Sequence, residues 1–197
     1  MKLEFSFDDG DELDTKVIQL LDKYGFQATF YIPIFSWGFD HLEAYKKHIV
    51  GAHSISHPQD MKELDDEAQD WQIKGSKTML EDKLQKDVTS FCYPRGRYNE
   101  STIRLVKDAG FVEARTTSVL FTRYDDPFRK PTTIHLYPNR REYEGKTWTQ
   151  WANFLFEGSP EYFHVWGHSW EVQKYNEWDN FEAFLKRAHE HRNTSSK

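Results

Sequence analysis

Short apolar runs alternate with amphipathic helical stretches at least six times along this chain, and that alternation leaves few architectures open. Strand-like runs lie at residues 3–7, 28–32, 49–52, 88–93, 111–116 and 162–166, and helical stretches at 11–25, 39–48, 63–84, 99–109, 147–156 and 178–191. Leu13, Val17, Leu20, Leu21 and Tyr24 mark one face of the first helix, and Gly25 supplies its stop. Leu64, Ala68 and Trp71 mark the expected face of the longest. Asn99 is a cap ahead of Ile103 and Val106. Residues 121–143 carry three prolines and no clear period, and read as a long connection with room for one short strand. Strands joined through helices pair parallel. A full eight-fold barrel takes about 250 residues, and this chain has 197. The pattern predicts an α/β fold, a distorted (β/α) barrel of about seven parallel strands. It forms a single domain over residues 1–192, with a disordered tail over 193–197.

Polar clusters follow the predicted strands: Asp8-Asp9-Gly10, His53 to His57-Pro58, Tyr93-Pro94-Arg95-Gly96, and His168. In a parallel barrel all of them converge on the C-terminal rim, where active sites sit. Two adjacent carboxylates repel unless a cation or a shared proton compensates, and Gly10 gives the chain freedom to turn both toward one place. His53 and His57, four apart, can reach one metal from a tight loop. With one of the two aspartates they make a three-donor set with an open position, suited to zinc or another divalent first-row ion. Such an ion lowers the pKa of water from about 15.7 to about 7, and the other aspartate stays free to take the proton. The single cysteine, Cys92, rules out an internal disulfide and a cysteine-based zinc site. A net charge of -6 argues against a nucleic-acid partner. No run has the length of a membrane span. Met1-Lys2 leads straight into the first strand with no signal peptide, which fits a cytoplasmic protein or an exported one whose leader has been removed. Aromatic residues make up 16% of the chain, so many rings must lie beside polar groups, as they do in sugar-binding clefts.

Phe7-Asp8-Asp9-Gly10, His53-Ser54-Ile55-Ser56-His57-Pro58 and Tyr93-Pro94-Arg95-Gly96 resemble, in order and spacing, the motifs of the polysaccharide deacetylases, carbohydrate esterase family four with its NodB-homology domain. The resemblance covers roughly residues 1–170. It implies a distorted (β/α) barrel and removal of N- or O-acetyl groups from chitin oligomers, peptidoglycan, other amino-sugar polymers or xylan. It also implies that Asp9, His53 and His57 hold the metal and that Asp8 is the general base. The backbone N–H of Arg95 would hold the oxyanion, and His168 would be the general acid. Tyr93, Pro94, Trp166 and Trp170 are the expected substrate-binding residues. The implied cofactor is one divalent ion, zinc first, with cobalt, nickel or manganese as alternatives. The implied partner is an acetylated amino-sugar oligomer or polymer.

The chain departs from the family pattern in three places. The arginine that opens the third motif is Cys92 here, and Arg95, Arg97 and Arg115 are the candidates to replace it. The fourth motif, an aspartate and a tryptophan, has no clear counterpart, with Asp125, Asp126 and Trp170 as candidates. The leucine two residues before the acid histidine is Trp166. Among the other histidines, His41, His48, His135, His189 and His191 read as surface residues, and His164 as a hydrogen-bonded core residue. Cys92 reads as a small packed side chain, and Trp148 and Trp151 as a helix face. The function expected is a metal-dependent hydrolase acting on N-acetylated sugars. The alternatives are a metal-dependent amidase on small cyclic amides and a catalytically inactive carbohydrate-binding relative.

Overall fold

Each apolar run becomes a strand in the computed structural model, which describes residues 1–195. Among these residues the strands are β1 (Lys2–Asp8), β2 (Thr29–Ile32), β3 (Ile49–Ala52), β4 (Ser90–Cys92), β5 (Glu113–Arg115), β6 (Ile134–His135) and β7 (Tyr162–Gly167). The helices are α1 (Asp14–Tyr24), α2 (Trp37–Asp40), α3 (Asp66–Leu84), α4 (Glu100–Asp108), α5 (Trp148–Glu157), α6 (Ser169–Lys174) and α7 (Trp178–Ser195). All strand pairs are parallel, in the order β5-β4-β3-β2-β1-β7-β6. The sheet curls into a half-barrel, and the chain entering β6 reaches across its open side. There the Lys130 N–H donates to the Ala114 carbonyl at 3.0 Å, and the Thr116 N–H donates to the Lys130 carbonyl at 2.8 Å. The distorted barrel of seven parallel strands is thus the observed fold.

Strand parity in β1 divides the core. Phe5 and Phe7 face the helix layer, where Phe7 packs 5.6 Å from Phe181 and 5.8 Å from Phe30, ring to ring. Full burial of each such ring contributes about 1.5–3 kcal/mol. Glu4, Ser6 and Asp8 face the barrel interior. Glu4 meets Lys130 at 2.8 Å, Ser6 Oγ meets His164 Nε2 at 2.8 Å, and Asp8 meets Arg115. The interior is therefore lined with paired polar groups, as buried charge requires. His164 is the hydrogen-bonded core histidine the sequence suggested.

The structure corrects four local expectations. The helix expected over 39–48 is the short α2, capped by Ser36, followed by a 3-10 turn over Leu42–Tyr45. This break sends the buried Tyr45 hydroxyl to Asp14 Oδ2 at 3.0 Å. On α3 the buried face is Gln69, Gln72, Ile73, Ser76 and Leu80, while Trp71 is 56% exposed. Polar residues occupy that face because Gln72 hydrogen-bonds the loop beneath it. Helix α6 was not foreseen at all. Finally, α7 continues to Ser195 rather than giving way at 193, and residues 196 and 197 lie outside the described residues. Among the described residues no helix is long and apolar enough to cross a membrane.

Asp14 gives the fold a testable pH dependence. Burial pushes its carboxyl from 3.8 up to about 7, against the hydrogen bond from the Tyr45 hydroxyl, which opposes the shift. A carboxyl raised in the folded state adds stability that is complete below pH about 4 and is lost as pH rises toward 7, on the order of 4 kcal/mol in all. Urea denaturation of metal-free wild type and Asp14→Asn, compared at each pH so that the buried histidines cancel, should show the variant gaining about 2–3 kcal/mol on wild type between pH 5 and pH 8. A pH-independent difference would show that Asp14 is ionised in the fold.

Candidate active site

Asp8 ends β1 on the interior side, 2% exposed. Arg115, at the end of β5 and fully buried, donates Nη2–H to Asp8 Oδ1. The guanidinium carbon lies 4.4 Å from the Trp166 ring centroid and 5.2 Å from that of Tyr31, positions that stabilise a buried cation. The Cys92 thiol lies 3.7 Å from Asp8 Oδ2, a packed residue with a weak donor as the sequence suggested. Burial pushes the Asp8 carboxyl up, but Arg115 chiefly, then His53 and His168, outweigh it and hold it at about 2. Of the three arginines the sequence left open, Arg115 is the one beside Asp8. Arg97 pairs with Asp60 at 3.0 Å instead. The legible signal was the alternation Glu113-Ala114-Arg115, which puts both charges on the interior face.

The loops that carry the donors are held in unusual conformations. Asp9 (φ 77), Ser54 (φ 67), His57 (φ 50) and Arg95 (φ 58) all take left-handed backbone, sparse for such residues and typical of functional turns. Gly10, with φ 60, favours glycine further, because a Cβ there would be strained and would lie 2.7 Å from Ser36 Oγ and 3.3 Å from the Gly38 Cα. Gln72 Oε1 accepts the Ile55 and Ser56 N–H groups, each at 3.0 Å, and so fixes the segment between the two histidines.

His53 and His57 converge on one oxygen. Their Nε2 atoms lie 3.8 Å and 3.6 Å from Asp9 Oδ1. His53 Nδ1 lies 2.8 Å from the Cys92 carbonyl, which can only accept, so Nδ1 carries the proton and the Nε2 lone pair faces Asp9. Burial lowers the basicity of both rings, that of His53 to about 4, so each is neutral at pH 7, the ligating form. One donor atom from each of Asp9, His53 and His57 lies within 4.8 Å of the others. A carboxylate and two neutral imidazoles in that arrangement fit a divalent first-row ion.

His168 approaches the other Asp9 oxygen, its Nε2 3.7 Å from Oδ2. The helix after it brings Glu171 back, with Oε2 2.5 Å from His168 Nδ1 and 2.9 Å from His135 Nε2. Arg140 Nη1 lies 3.2 Å from His135 Nδ1. Arginine can only donate, so His135 accepts at Nδ1 and donates from Nε2 to Glu171. Burial pushes Glu171 up, but the two imidazoles outweigh it and hold it at about 2. The two histidines then diverge. Burial takes His135 down to about 4, whereas for His168 the Glu171 hydrogen bond with the charges of Asp9 and Asp8 outweighs burial and raises it. The pair therefore holds a neutral ring beside a readily protonated one.

His135 is thus a correction. It is 5% exposed, in β6, stacked on Trp166 with centroids 3.8 Å apart, and not on the surface. His48 is also buried, with Nδ1 accepting the Ala28 N–H. Glu171 was missed because helix α6 was missed; the His-x-x-Glu spacing was its only trace. Trp170, on the same helix, donates Nε1–H to Asp9 Oδ2 at 3.2 Å. Asp126 pairs with Arg129 instead, and Asp125 lines a separate cavity of about 630 Å³ beside Tyr98 and Tyr124 that shares no residue with the motif clusters. Nor do the other expected substrate contacts all reach the cleft. Tyr93 is buried with its hydroxyl donating to the Phe128 carbonyl, and Pro94 is buried beside it. Trp166 is 2% exposed. Arg95 stays near the donors, close enough for its charge to depress His57 further.

The Asp8–Arg115 pair generates a stability prediction. Removing one partner of a buried pair strands the other's charge, at a cost of about 3–5 kcal/mol. Arg115→Met should lose that much in urea denaturation, and Asp8→Asn combined with Arg115→Met should recover a large part of it. Additive losses in the double variant would show that the two side chains are not energetically coupled.

The sequence profile of the polysaccharide deacetylase family matches residues 2–114. A curated Bacillus subtilis (strain 168) protein named "Putative polysaccharide deacetylase YxkH" is 27% identical over 121 residues, 57% of this chain and 43% of that protein. The chain therefore spans less than half the length of that relative. The peptidoglycan deacetylase PdaC from Bacillus subtilis superposes with a TM-score of 0.64 at 18% identity, covering 96% of this chain and 84% of that one. BA3943 from Bacillus anthracis, a CE4 family pseudoenzyme, superposes with a TM-score of 0.65 at 16% identity, covering 95% of this chain and 61% of that one. The structural likenesses share the fold, and the profile extends over more than half of the sequence, so the chain belongs to the polysaccharide deacetylase family.

Proposed function

We propose that this chain is a metal-dependent hydrolase that removes acetyl groups from N-acetylated sugars of an oligo- or polysaccharide. The observation that carries the reading is the position of Asp9. One of its oxygens faces His53 and His57, the other faces His168, and Asp8 stands beside His53. Asp9, His53 and His57 would hold the ion, zinc by the mixed nitrogen and oxygen donor set. When bound, the ion supplies Lewis acidity, lowering the pKa of water and polarising a carbonyl.

The protein's own groups do the proton work. Asp8, ionised and anchored by Arg115, receives a proton at Oδ2 as water adds to the acetyl carbonyl. The Arg95 N–H helps hold the oxyanion. His168 gives the Nε2 proton to the sugar nitrogen as the C–N bond breaks, which releases acetate and the amine. Glu171 keeps that imidazole protonated and oriented. The relative BA3943 is a pseudoenzyme, but here Asp8, Asp9, His53, His57 and His168 are all present and clustered, which favours turnover.

Two comparisons test the assignment. Asp8→Asn should retain its metal and lose about 10²–10⁴-fold in acetate release from N-acetylglucosamine oligomers, whereas Asp9→Asn should lose metal. The reverse pattern, read by metal analysis of each purified variant, would exchange the two roles. His168→Ala should cost about 10²-fold or more on an acetamido sugar and much less on an activated acetate ester, whose leaving group needs no proton. Equal losses on both substrates would assign His168 to positioning, and loss of metal would make it a ligand.

A further inference from the structure

A second cluster of metal-donor groups lies across the cleft from His53 and His57. One donor atom from each of His135, His168 and Glu171 lies within 4.8 Å of the others. Two imidazoles and a carboxylate are the same donor types as Asp9, His53 and His57, so composition alone does not direct an ion to either set. An ion on His168 Nδ1 would hold that ring neutral, and a neutral imidazole is a far weaker acid than an imidazolium. Occupation of the second set would therefore disarm the group that protonates the leaving amine.

The two sets differ in where the imidazole protons sit. At the first, the Cys92 carbonyl keeps the His53 proton on Nδ1 and leaves the Nε2 lone pair for an ion. At the second, both nitrogens that face Glu171 Oε2 carry protons, His168 Nδ1 at 2.5 Å and His135 Nε2 at 2.9 Å. His168 can give up its Nδ1 proton and keep one on Nε2, which faces Asp9 Oδ2 at 3.7 Å. His135 has no such exchange open to it. Its Nδ1 meets Arg140 Nη1 at 3.2 Å, and a guanidinium has no lone pair to accept a proton moved to that side. Arg140 is itself braced and mostly buried: Nη2 donates to Glu142 Oε1 at 2.6 Å and to the Thr117 carbonyl at 3.1 Å, and Nε donates to Glu142 Oε2 at 3.3 Å. We propose that Arg140 is a metal-selectivity residue. By fixing the His135 tautomer that turns an N–H toward Glu171, it keeps divalent ions out of the His135–His168–Glu171 cluster and leaves them to Asp9, His53 and His57.

The consequence for the acid rests on the deacetylase reading above; the ion count does not. The test is the zinc content of the full chain, measured against buffered free zinc. Arg140→Met, and Arg140→Gln with an amide oxygen able to accept from Nδ1–H, should each take up one ion more than wild type. The affinity for that extra ion should be about 10–100-fold higher than in wild type, the worth of a hydrogen bond to a charged group. Arg140→Lys, which can only donate, should match wild type. Arg140→Met combined with His135→Phe should lose the extra ion while the ring still stacks on Trp166. As the extra ion binds, Arg140→Met should lose more hydrolysis of an acetamido sugar than of an activated acetate ester. Ion counts equal to wild type in both neutral variants, or an extra ion that survives His135→Phe, would overturn the assignment. An extra ion without effect on the acetamido rate would overturn the protection of His168. Wild type inactive on both substrates would overturn the deacetylase reading, and the difference of one ion would still decide the role of Arg140.

Discussion

The buried pair of Asp8 and Arg115 depends on the curl of the sheet and helps to fix it. Three strands, β2, β3 and β4, separate β1 from β5 in the sheet order. In a flat sheet the two would stand about 19 Å apart, beyond the reach of any side chain. They touch only because the strands wrap round an interior, and an interior that holds two charges must pair them. The same demand explains the rest of the barrel lining. Glu4 meets Lys130, and Ser6 meets His164. Outward-facing Phe5 and Phe7 supply apolar burial, while inward-facing neighbours supply closure.

Above this pair the site is arranged around Asp9, which projects from a left-handed turn to meet two groups of side chains. The His53–His57 loop approaches from one side, pinned by Gln72 of α3. The His168–Glu171 unit approaches from the other, backed by His135 and Arg140. The two flanks differ in protonation, because Glu171 favours the cationic form of His168 while burial keeps His53 and His57 neutral, and between them Asp8 remains anionic against Arg115. Opposite protonation preferences, an ionised Asp8 and a readily protonated His168, thus stand on either side of Asp9.

The parts of this arrangement carried by short contiguous motifs were legible in the sequence. Asp8-Asp9, His53 and His57 follow strands, and strand–helix alternation alone places them on one rim. The parts built from distant residues were not. Arg115 could be named only as one of three arginines, since its pairing depends on the curl. Glu171 and Trp170 ride on a six-residue helix with no apolar period of its own. His135 looked solvent-exposed because its strand is two residues long and lies within a stretch of prolines and charges. Tyr93 and Pro94 sit within a recognisable motif, yet the turn at Arg95 directs their side chains into the core. Local sequence reports the strand ends, and the curl decides which side chains meet there.

The measurement that bears most directly on the central claim is acetate release from N-acetylglucosamine oligomers by the wild-type protein, as isolated, after chelation, and after zinc is restored. The geometry of Asp9, His53 and His57 predicts turnover that chelation abolishes and zinc recovers, with one ion bound per chain at full recovery. Acetate release that persists after the metal is gone, or a zinc-loaded protein that releases none, would contradict it.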